Sequence, residues 1–431
     1  MVLLSQFFID LNIQNIQYTV LRNYQFLPES TGGSDLDILV HQKDETKIMY
    51  LMDTYIKTNN LRLVSVINDK QCPKYCISNE YWGIQMDIFK GSVYFGEKEL
   101  IPSSILFKNT HDYQGVRVLN PKEGAILAFL KELLNNKNCG KEYIIELQRQ
   151  LHNQNIDPEL LCQFKPEFHR YLNQHISHLN DEHQSVLYHL AKKDFKRSRF
   201  AGFKNKVGRF FYNPGYTVAF LGTDGSGKST VINRVRPLLN EAFHKKVYYE
   251  HMRPNQFPSI ARLIGKNEKL SGPITNPHDS LPSGLIGSFL RWSYYMLDYT
   301  IGYYLKIYPK KAIRSCVWIF DRYYYDYLID PKRARINLPQ WILKIGQFII
   351  PEPDIILCLG TDAETIHNRK PELPYKEVER QVAELKSFCS SHKRAVWIDT
   401  GNSIEKSSTD ALKAIIKVMA KRFESVKLND K

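Results

Sequence analysis

The stretch VAFLGTDGSGKSTV, residues 218–231, decides the fold of the C-terminal half of the chain. An apolar run leads into GTDGSGKS, which matches GxxxxGK[ST] at Gly222, Gly227, Lys228 and Ser229, and a helix-forming stretch follows. Glycines at these positions let backbone N–H groups surround phosphate oxygens, and the helix N-terminus adds its positive dipole end. The stretch therefore predicts a strand, a phosphate-binding loop and a helix.

The residues of this loop predict a site for a triphosphate and Mg²⁺. Lys228 can reach the β- and γ-phosphates, and the Ser229 hydroxyl can ligate Mg²⁺. The predicted cofactor-binding residues are Gly222, Gly225, Ser226, Gly227, Lys228, Ser229 and Thr230. Two alternatives stay open: a chance glycine-rich turn, or a nucleotide-binding loop that has lost its chemistry.

Four more short apolar runs follow the first one, and helical stretches separate them. The five predicted strands are residues 216–222, 246–252, 317–321, 354–360 and 394–400. Continuous apolar strands alternating with helices are typical of a parallel sheet covered on both faces. The C-terminal half is thus predicted to be a doubly wound α/β domain.

Two further stretches carry polar groups suited to phosphoryl transfer. Asp321 ends the third apolar run, where a carboxylate faces the ligand crevice of a parallel sheet and can hold Mg²⁺ or accept a proton. Arg322 can clamp a phosphate, although a surface ion pair explains Asp-Arg alone. Arg369 and Lys370 end a predicted helix and can close as a lid, or simply complement the helix dipole.

In the order GTDGSGKS, DRY, PDIILCLGTDAETIHNRK and WIDT, residues 215–425 resemble the thymidylate kinase family of P-loop kinases. The resemblance implies ATP, Mg²⁺, a five-stranded parallel sheet and a lid that carries Arg369. It also implies that Asp224 faces the acceptor and that Asp321 and Arg322 lie near the metal and the acceptor phosphate. The nearest match to the family's arginine for the acceptor phosphate is Arg253.

The sequence departs from this family where the acceptor binds. HMRPN replaces the usual Arg-Glu-Pro-Gly, YYDYLIDPKRAR replaces the stretch that meets thymine, and residues 255–282 have no obvious counterpart. Tyr323 is a candidate substrate-binding residue, because Tyr323–Tyr325 and Tyr327 can stack on a base or sugar ring, or simply pack. The acceptor stays open between a nucleoside monophosphate and a sugar or glycan end.

Three acidic residues near the N-terminus predict a second metal site. Asp35 and Asp37 lie two residues apart at the start of a predicted strand, and Asp87 lies in another predicted strand. Carboxylates that converge on one face can bind two Mg²⁺ ions and support nucleotidyl transfer. The alternative is a pair of turn acids and one unrelated acid. The strands predicted in this half are residues 18–22, 36–40, 61–67 and 84–89.

The stretch YTVLRNYQFLPESTGGSDLDILV makes residues 15–115 similar to the nucleotidyltransferase superfamily of polymerase-β type. This resemblance implies metal-binding roles for Asp35, Asp37 and Asp87. The family's Gly-Ser turn for the triphosphate is missing, and Leu21-Arg22-Asn23 stands in its place. Arg22 can replace it as a phosphate ligand, or the domain can bind without reacting.

The chain is predicted to contain three regions. Residues 1–115 form an α+β nucleotidyltransferase-like domain, residues 116–209 a helical connector with a basic linker, and residues 210–431 the thymidylate kinase-like P-loop domain. The net charge of +14 favours polyanionic partners. Segment 192–209 carries eight Lys or Arg against one Asp, which suits either a solvated linker or weak contact with an acidic membrane surface or nucleic acid.

The leading interpretation is a cytoplasmic ATP- and Mg²⁺-dependent kinase fused to a nucleotidyltransferase-like domain, working in nucleotide or surface-polysaccharide metabolism. Two alternatives are a nucleotidyltransferase regulated by its kinase half, and a non-catalytic, nucleotide-gated binding protein. A homodimer is compatible with each of these three interpretations. Cysteines that are mostly scattered and a first segment without a basic n-region favour the cytoplasm. Charges interrupt the apolar segment 287–308, which predicts a buried or interfacial helix.

Overall fold

A computed structural model describes residues 3–152, 154–195, 209, 213–258, 284–426 and 428. The strands are β1 Tyr18–Val20, β2 Leu36–Val40, β3 Arg62–Ile67, β4 Lys74–Ser78, β5 Gly83–Lys90, β6 Tyr94–Phe95, β7 Lys98–Glu99, β8 Thr110–Tyr113, β9 Val116–Leu119, β10 Tyr216–Leu221, β11 Val247–His251, β12 Val317–Asp321, β13 Ile355–Gly360 and β14 Ala395–Asp399. The α-helices are α1 Leu3–Ile13, α2 Glu45–Thr58, α3 Ser103–Lys108, α4 Pro121–Asn136, α5 Lys141–Leu151, α6 Pro166–His175, α7 Asp181–Asp194, α8 Lys228–Ala242, α9 Leu285–Leu297, α10 Tyr308–Ile313, α11 Asp326–Ile329, α12 Gln340–Ile349, α13 Ala363–Arg369, α14 Tyr375–Ser391 and α15 Ile404–Lys421. Short 3₁₀ turns cover Gln42–Asp44, Pro158–Leu161, Ile176–His178 and Pro331–Ala334, and Asp298–Ile307 is π-helical.

The C-terminal sheet has five parallel strands in the order β11-β12-β10-β13-β14. All residues of β10, β12 and β13 are buried, as expected for strands covered by helices on both faces. Each strand agrees with its sequence prediction to within one residue at either end. The predicted five-stranded parallel sheet is therefore confirmed, and the carboxyl ends of β10 and β12 lie side by side.

The N-terminal sheet has seven strands in the order β3-β4-β5-β2-β1-β9-β8 and mixes parallel with antiparallel pairs. Strand β2 runs parallel to β5, whereas β1 is antiparallel to β2 and parallel to β9. The predicted strands correspond to β1, β2, β3 and β5. Strands β4, β8 and β9 were not predicted, and β9 extends the sheet to Leu119, beyond the expected domain end at residue 115.

Helices α4 to α7 follow the sheet and pack their apolar faces into one buried cluster with it. Leu127, Leu130 and Leu134 of α4 recur at helical spacing and are all buried. This agrees with the predicted helical connector. Most of the basic linker, residues 196–208, lies outside the described residues, and so does most of the insert predicted at residues 255–282.

The two α/β units share an apolar contact that joins β4 and β5 to helix α8. Val64 and Cys76 of the N-terminal sheet belong to the same buried cluster as Val235 and Ala242 of α8. The Tyr216 hydroxyl donates a hydrogen bond to the carbonyl of Val64 at 2.8 Å. The helix that starts at the phosphate loop is thus fixed at its other end against the N-terminal sheet.

Gly83 lies at the closest approach in this contact, and we expect Gly83→Ala to destabilise the protein. A Cβ at this position would lie 2.7 Å from the Ala242 Cβ, which forces the sheet and helix apart. Overpacking of this kind costs about 1–3 kcal/mol. Chemical denaturation followed by fluorescence measures the loss, and Gly284→Ala is the control because a Cβ there meets nothing within 4 Å. Equal stability of the two variants would contradict the tight contact.

The apolar segment at residues 287–308 lies within a continuous helical rod that starts with α9 and ends with α10. Tyr299 and Tyr303 face the core, whereas Leu285, Ile286, Leu290 and Leu305 are more than half exposed to solvent. Among the described residues, no helix is long and apolar enough to cross a membrane. The rod therefore covers the sheet with one face and presents an apolar second face.

Candidate phosphotransfer site

The phosphate loop connects β10 to α8 in the conformation that its glycines allow. Gly227 has φ +83°, and a Cβ on Gly222 would lie 2.6 Å from the carbonyl oxygen of Leu359. Any larger residue at these two positions would strain the turn or push β13 away. The sequence thus folds the loop so that α8 begins directly below a cleft, with Ser229 and Thr230 exposed at the helix N-terminus.

This cleft has a volume of about 560 Å³ and lies at the carboxyl ends of the parallel strands. The residues that line it are Asp224, Gly225, Gly227, Lys228, Ser229, Thr230, Val231, His251, Asp321, Arg322, Arg333, Arg369, Lys370, Thr400, Asn402, Ile404 and Ser407. Two arginines beside the loop, one lysine in it and the Arg369-Lys370 pair outnumber the two carboxylates. The cleft is therefore electropositive and suited to phosphate groups.

Lys228 is folded back onto its own loop. Its ammonium donates hydrogen bonds to the carbonyls of Gly222 at 2.7 Å and Thr223 at 2.8 Å, and the residue is buried. Burial, together with the positive charge of Arg322, lowers the pKa of Lys228 to about 7. The site therefore holds a lysine whose charged form would be favoured by an anionic ligand.

We expect the binding of a Mg²⁺–ATP analogue to take up a proton at Lys228. At pH about 8.5 the free site holds mostly neutral lysine, and phosphate oxygens that stabilise the ammonium raise its pKa, so binding takes up about one proton. At pH about 6 the lysine is already charged and this uptake disappears. Calorimetric titration in buffers of different ionisation enthalpy measures it. A buffer-independent enthalpy at the higher pH would contradict the prediction.

Asp224 is held between two arginines. Its Oδ1 accepts a hydrogen bond from Arg322 at 2.6 Å, and its Oδ2 accepts one from Arg333 at 2.5 Å. Burial alone would raise the pKa of Asp224, but Arg322, Lys228 and Arg333 outweigh burial and lower it well below its usual range. Asp224 is therefore ionised and fully engaged, which makes it a poor proton acceptor.

Arg322 is the buried centre of this network. Besides Asp224 it donates to Asp326 at 2.7 Å and to the carbonyl of Gly222 at 3.2 Å. Burial alone would lower the pKa of Arg322, but the carboxylates of Asp326, Asp224 and Asp321 raise it. Its backbone has φ +71°, a conformation that non-glycine residues rarely adopt and that is held by a hydrogen bond to the carbonyl of Phe220.

Asp321 lines the cleft and has one carboxylate oxygen without a hydrogen-bond partner. Its Oδ2 accepts a hydrogen bond from the Tyr249 hydroxyl at 2.9 Å, whereas its buried Oδ1 has no hydrogen-bond partner. A buried carboxylate oxygen without a partner is costly unless a cation or a proton donor meets it. Together with the exposed Ser229 hydroxyl in the same cleft, these oxygen ligands fit Mg²⁺.

Arg369 ends helix α13, Lys370 follows it, and both residues line the cleft. Helix α13 packs its last turn over the loop, so that a Cβ on Gly225 would lie 2.8 Å from the Ile366 carbonyl oxygen. Arg369 donates to the carbonyl of Thr400 at 3.0 Å, and Lys370 pairs with Glu372 at 3.0 Å. Helix α13 therefore borders one side of the cleft and brings two cations to it.

Two predicted substrate-binding residues lie elsewhere. Tyr323 is buried, its ring packs edge-on against Tyr299, and its hydroxyl donates to the carbonyl of Pro351. Arg253 forms an ion pair with the buried Asp298 at 2.9 Å and does not line the cleft. Both side chains serve packing, because the rod that carries Asp298 and Tyr299 covers this end of the sheet.

Sequence reasoning missed Arg333, His251 and Tyr249. Arg333 lies in the quoted run YYDYLIDPKRAR, and the second arginine on Asp224 could have been suspected from the cations in that run. His251 ends β11 and lines the cleft in place of Arg253. Burial lowers the pKa of His251, which favours the neutral imidazole.

The N-terminal carboxylates converge as predicted. Asp37 and Asp87 are register partners in β2 and β5, and one oxygen from each of Asp35, Asp37 and Asp87 lies within 4.8 Å of the others. The Asp37 Oδ1 is buried and has no hydrogen-bond partner, so this oxygen is available as a ligand to a cation.

Basic side chains already balance this cluster. Arg22 donates to Asp37 at 2.5 Å, Lys74 pairs with Asp87, and Lys131 lies 4.0 Å from Asp37. Burial alone would raise the pKa of Asp37, but Lys131, Arg22 and Lys74 together lower it. The predicted phosphate ligand Arg22 is thus engaged with the carboxylates, and a metal ion would have to compete with these cations.

The C-terminal part of the chain matches a family model. Residues 220–411 match the thymidylate kinase family model. The thymidylate kinase of Ehrlichia chaffeensis is similar over 46% of this chain and 97% of its own, with 14% identity and a TM-score of 0.32. No curated protein matches the chain.

The family match supports a kinase-like C-terminal part and nucleotide phosphotransfer as its general class of activity. ATP and Mg²⁺ are the usual requirements of that family. The match begins at residue 220, so it gives no support to the nucleotidyltransferase resemblance of residues 15–115.

Proposed function

We propose that the protein transfers the γ-phosphoryl group of ATP, with Mg²⁺, to an acceptor that itself carries a phosphate. The observation that carries this proposal is the cleft in which the phosphate loop, Lys228 and the free oxygen of Asp321 meet. Five cationic side chains from the loop, its neighbouring arginines and the end of α13 line the cleft, enough to contact phosphates of two ligands. Among the described lining residues there is no Phe, Tyr or Trp, so recognition of a stacked base has little support.

Each residue has a role that follows from its contacts. The N–H groups of residues 225–230 bind the phosphate chain, and Lys228 moves from its loop carbonyls to phosphate oxygens. Mg²⁺, when bound by Asp321 and Ser229, neutralises charge on the phosphates. Arg369 and Lys370 exclude water and stabilise the charge that develops in the transition state.

Asp321 is the better candidate for orienting the acceptor hydroxyl or the metal. Both oxygens of Asp224 are occupied by arginines, whereas Asp321 keeps one free oxygen. Asp224 then acts by holding Arg322 and Arg333 at the acceptor side of the cleft. This division of roles separates a reacting carboxylate from a positioning one.

The acceptor is identified with γ-labelled ATP, Mg²⁺ and the purified full-length protein. The panel contains nucleoside monophosphates, sugar phosphates, and glycan fragments with and without a terminal phosphate. We expect label in one phosphorylated acceptor class. Transfer only to unphosphorylated glycans would contradict the phosphate requirement, and no transfer to any acceptor despite tight ATP binding would contradict the kinase itself.

Nucleotidyl transfer at Asp35, Asp37 and Asp87 is a second candidate, favoured by the convergence of the three carboxylates. α-Labelled triphosphates offered with the same acceptors test it, with Asp37→Asn as the matched variant. Label that appears in wild type and not in the variant supports the activity. Equal labelling by both proteins, or none, refutes it.

The partners expected from the sequence belong to this proposal as well. Segment 192–209 would give weak contact with an acidic membrane surface or nucleic acid, and the fusion would serve nucleotide or surface-polysaccharide metabolism in the cytoplasm as a monomer or homodimer. Arg197→Ala and Arg199→Ala should weaken polyanion binding without changing phosphotransfer. Abolished polyanion binding in these variants, with no phosphotransfer in wild type to any acceptor, would instead favour the non-catalytic, nucleotide-gated binding protein.

A further inference from the structure

Three histidines meet at a corner of the helical connector, outside the two sites already described. His175 ends α6, His178 ends the 3₁₀ turn Ile176–His178, and His183 lies in the first turn of α7. One ring nitrogen from each lies within 4.8 Å of a ring nitrogen of each of the others. The spacing H-x₂-H-x₄-H in HISHLNDEH thus brings three imidazoles together across a helix–helix junction.

Hydrogen bonds fix which ring nitrogen is free. The Nδ1 of His175 lies 2.9 Å from the carbonyl oxygen of Tyr171, and the Nδ1 of His183 lies 3.2 Å from that of His178. A carbonyl can only accept, so each Nδ1 carries the hydrogen and each Nε2 keeps its lone pair. The Nδ1 of His178 lies 3.0 Å from the Ser177 hydroxyl, and when that hydroxyl accepts the hydrogen bond, the Nε2 of His178 keeps its lone pair as well.

This arrangement is the one that orients metal-binding histidines. Such ligands hold their tautomer by donating the other ring N–H to a carbonyl, a carboxylate or water. Packing also restrains two of the rings. The Tyr171 and His175 rings stack with their centroids 4.3 Å apart, and the centroids of the His175 and His183 rings are also 4.3 Å apart. Within the described ranges, no carboxylate forms an ion pair with these three rings. Ion pairing with acidic residues therefore does not account for the cluster.

We propose that His175, His178 and His183 bind one Zn²⁺ ion through their Nε2 atoms, with water as the fourth ligand. Imidazole nitrogens bind zinc at about 2.0–2.1 Å, and tetrahedral ligands at that distance lie about 3.4 Å apart. The ring nitrogens lie within 4.8 Å of one another, so they would have to move closer together when the ion binds. His178 is exposed, so one side of the ion faces solvent and leaves room for the water ligand.

A bound ion would cross-link neighbouring elements of the connector. Its ligands come from the end of α6, the turn and the start of α7, so a bound ion ties these elements together. None of the three histidines lines the phosphotransfer cleft. The ion therefore stabilises the connector and takes no part in phosphoryl transfer.

The test uses full-length protein freed of metal with a chelator and dialysed against Zn²⁺ alone. We expect one tightly bound Zn²⁺ per chain by elemental analysis. His183→Gln and His178→Gln each remove a ligand, so their Zn²⁺ affinity should fall by more than the about 10–100-fold that loss of a ligand's hydrogen-bond partner costs. His189→Gln is the matched control, because His189 is an exposed residue of the same helix outside the cluster. Zn²⁺ should raise the Tm of wild type and of the control but not of the two cluster variants.

Two results would overturn the proposal. The first is Zn²⁺ binding with the same affinity and stoichiometry in wild type and in both cluster variants. The second is loss of the bound ion in Asp37→Asn, which would assign it to the N-terminal carboxylates. Co²⁺ substituted for Zn²⁺ adds an independent measurement, since a four-coordinate site gives intense visible absorption that the cluster variants should lose.

Discussion

Lys228→Met lowers kcat/KM for the best acceptor by about 10³-fold or more. Methionine is nearly as long as lysine, but the substitution removes the only lysine of the phosphate loop. Its positive charge stabilises the transferring phosphoryl group in the transition state, and the rate loss should be at least that caused by removing one oxyanion-hole donor. Steady-state kinetics with γ-labelled ATP measures the loss. Most of it should appear in kcat, because the charge on the transferred group develops in the transition state.

The same variant should fold at least as well as wild type. In the free protein Lys228 is buried and its pKa is lowered to about 7, so burial of the ammonium opposes folding and an apolar side chain relieves that cost. Thermal unfolding without nucleotide checks this expectation. Lys344→Ala is the control for both measurements, because Lys344 is exposed and does not line the cleft. Activity within tenfold of wild type in Lys228→Met would exclude the loop as the site of transfer.

The parts of the site that follow from local sequence could be predicted. A phosphate loop is defined by residues within one turn, so Gly222, Gly227, Lys228 and Ser229 are identified by spacing alone. Asp321 was located because it ends an apolar run, and parallel strands bring their carboxyl ends to the same edge. Five short, mainly apolar runs likewise predicted the five strands of the sheet, of which β10, β12 and β13 are buried throughout.

The parts that depend on distant partners could not be predicted. Arg333 reaches Asp224 across 109 positions in the chain, and Arg253 is taken by Asp298 across 45 positions. Tyr323 follows Arg322 directly, yet the left-handed backbone at Arg322 turns the chain so that the tyrosine enters the core. Strand β8 reads THDY, which lacks the apolar alternation of a strand and is held by pairing with β9.

The charged surroundings of the N-terminal carboxylates could not be predicted for the same reason. The convergence of Asp35, Asp37 and Asp87 followed from strand register, but Lys131 comes from helix α4 and Lys74 from a strand that sequence did not predict. Whether acids form a metal site or an ion-paired core depends on such contributions. The spacing of acidic residues therefore predicts that the carboxylates converge, but not whether they bind a metal ion.

Asp321→Asn should lower kcat by about 10³-fold while changing ATP affinity less than about tenfold. The substitution keeps the shape and still offers the Tyr249 hydroxyl an acceptor, but it removes the negative charge and the free Oδ1 that can hold Mg²⁺ or orient the acceptor. Single-turnover measurements with γ-labelled ATP separate the chemical step from binding. Stability should stay the same or rise, because a buried carboxylate oxygen without a partner opposes folding.

Tyr249→Phe is the matched control for this prediction. It removes the hydrogen bond to Asp321 Oδ2 at 2.9 Å and leaves the charge and Oδ1 in place, so activity should fall about tenfold or less. If the free oxygen binds Mg²⁺ or orients the acceptor, Asp321→Asn should lower activity far more than Tyr249→Phe does. A higher Mg²⁺ concentration should then restore the activity of the phenylalanine variant only. Similar losses in both variants would mean that Asp321 acts through its contact with Tyr249, and the reacting carboxylate would have to be Asp224 despite its two arginines.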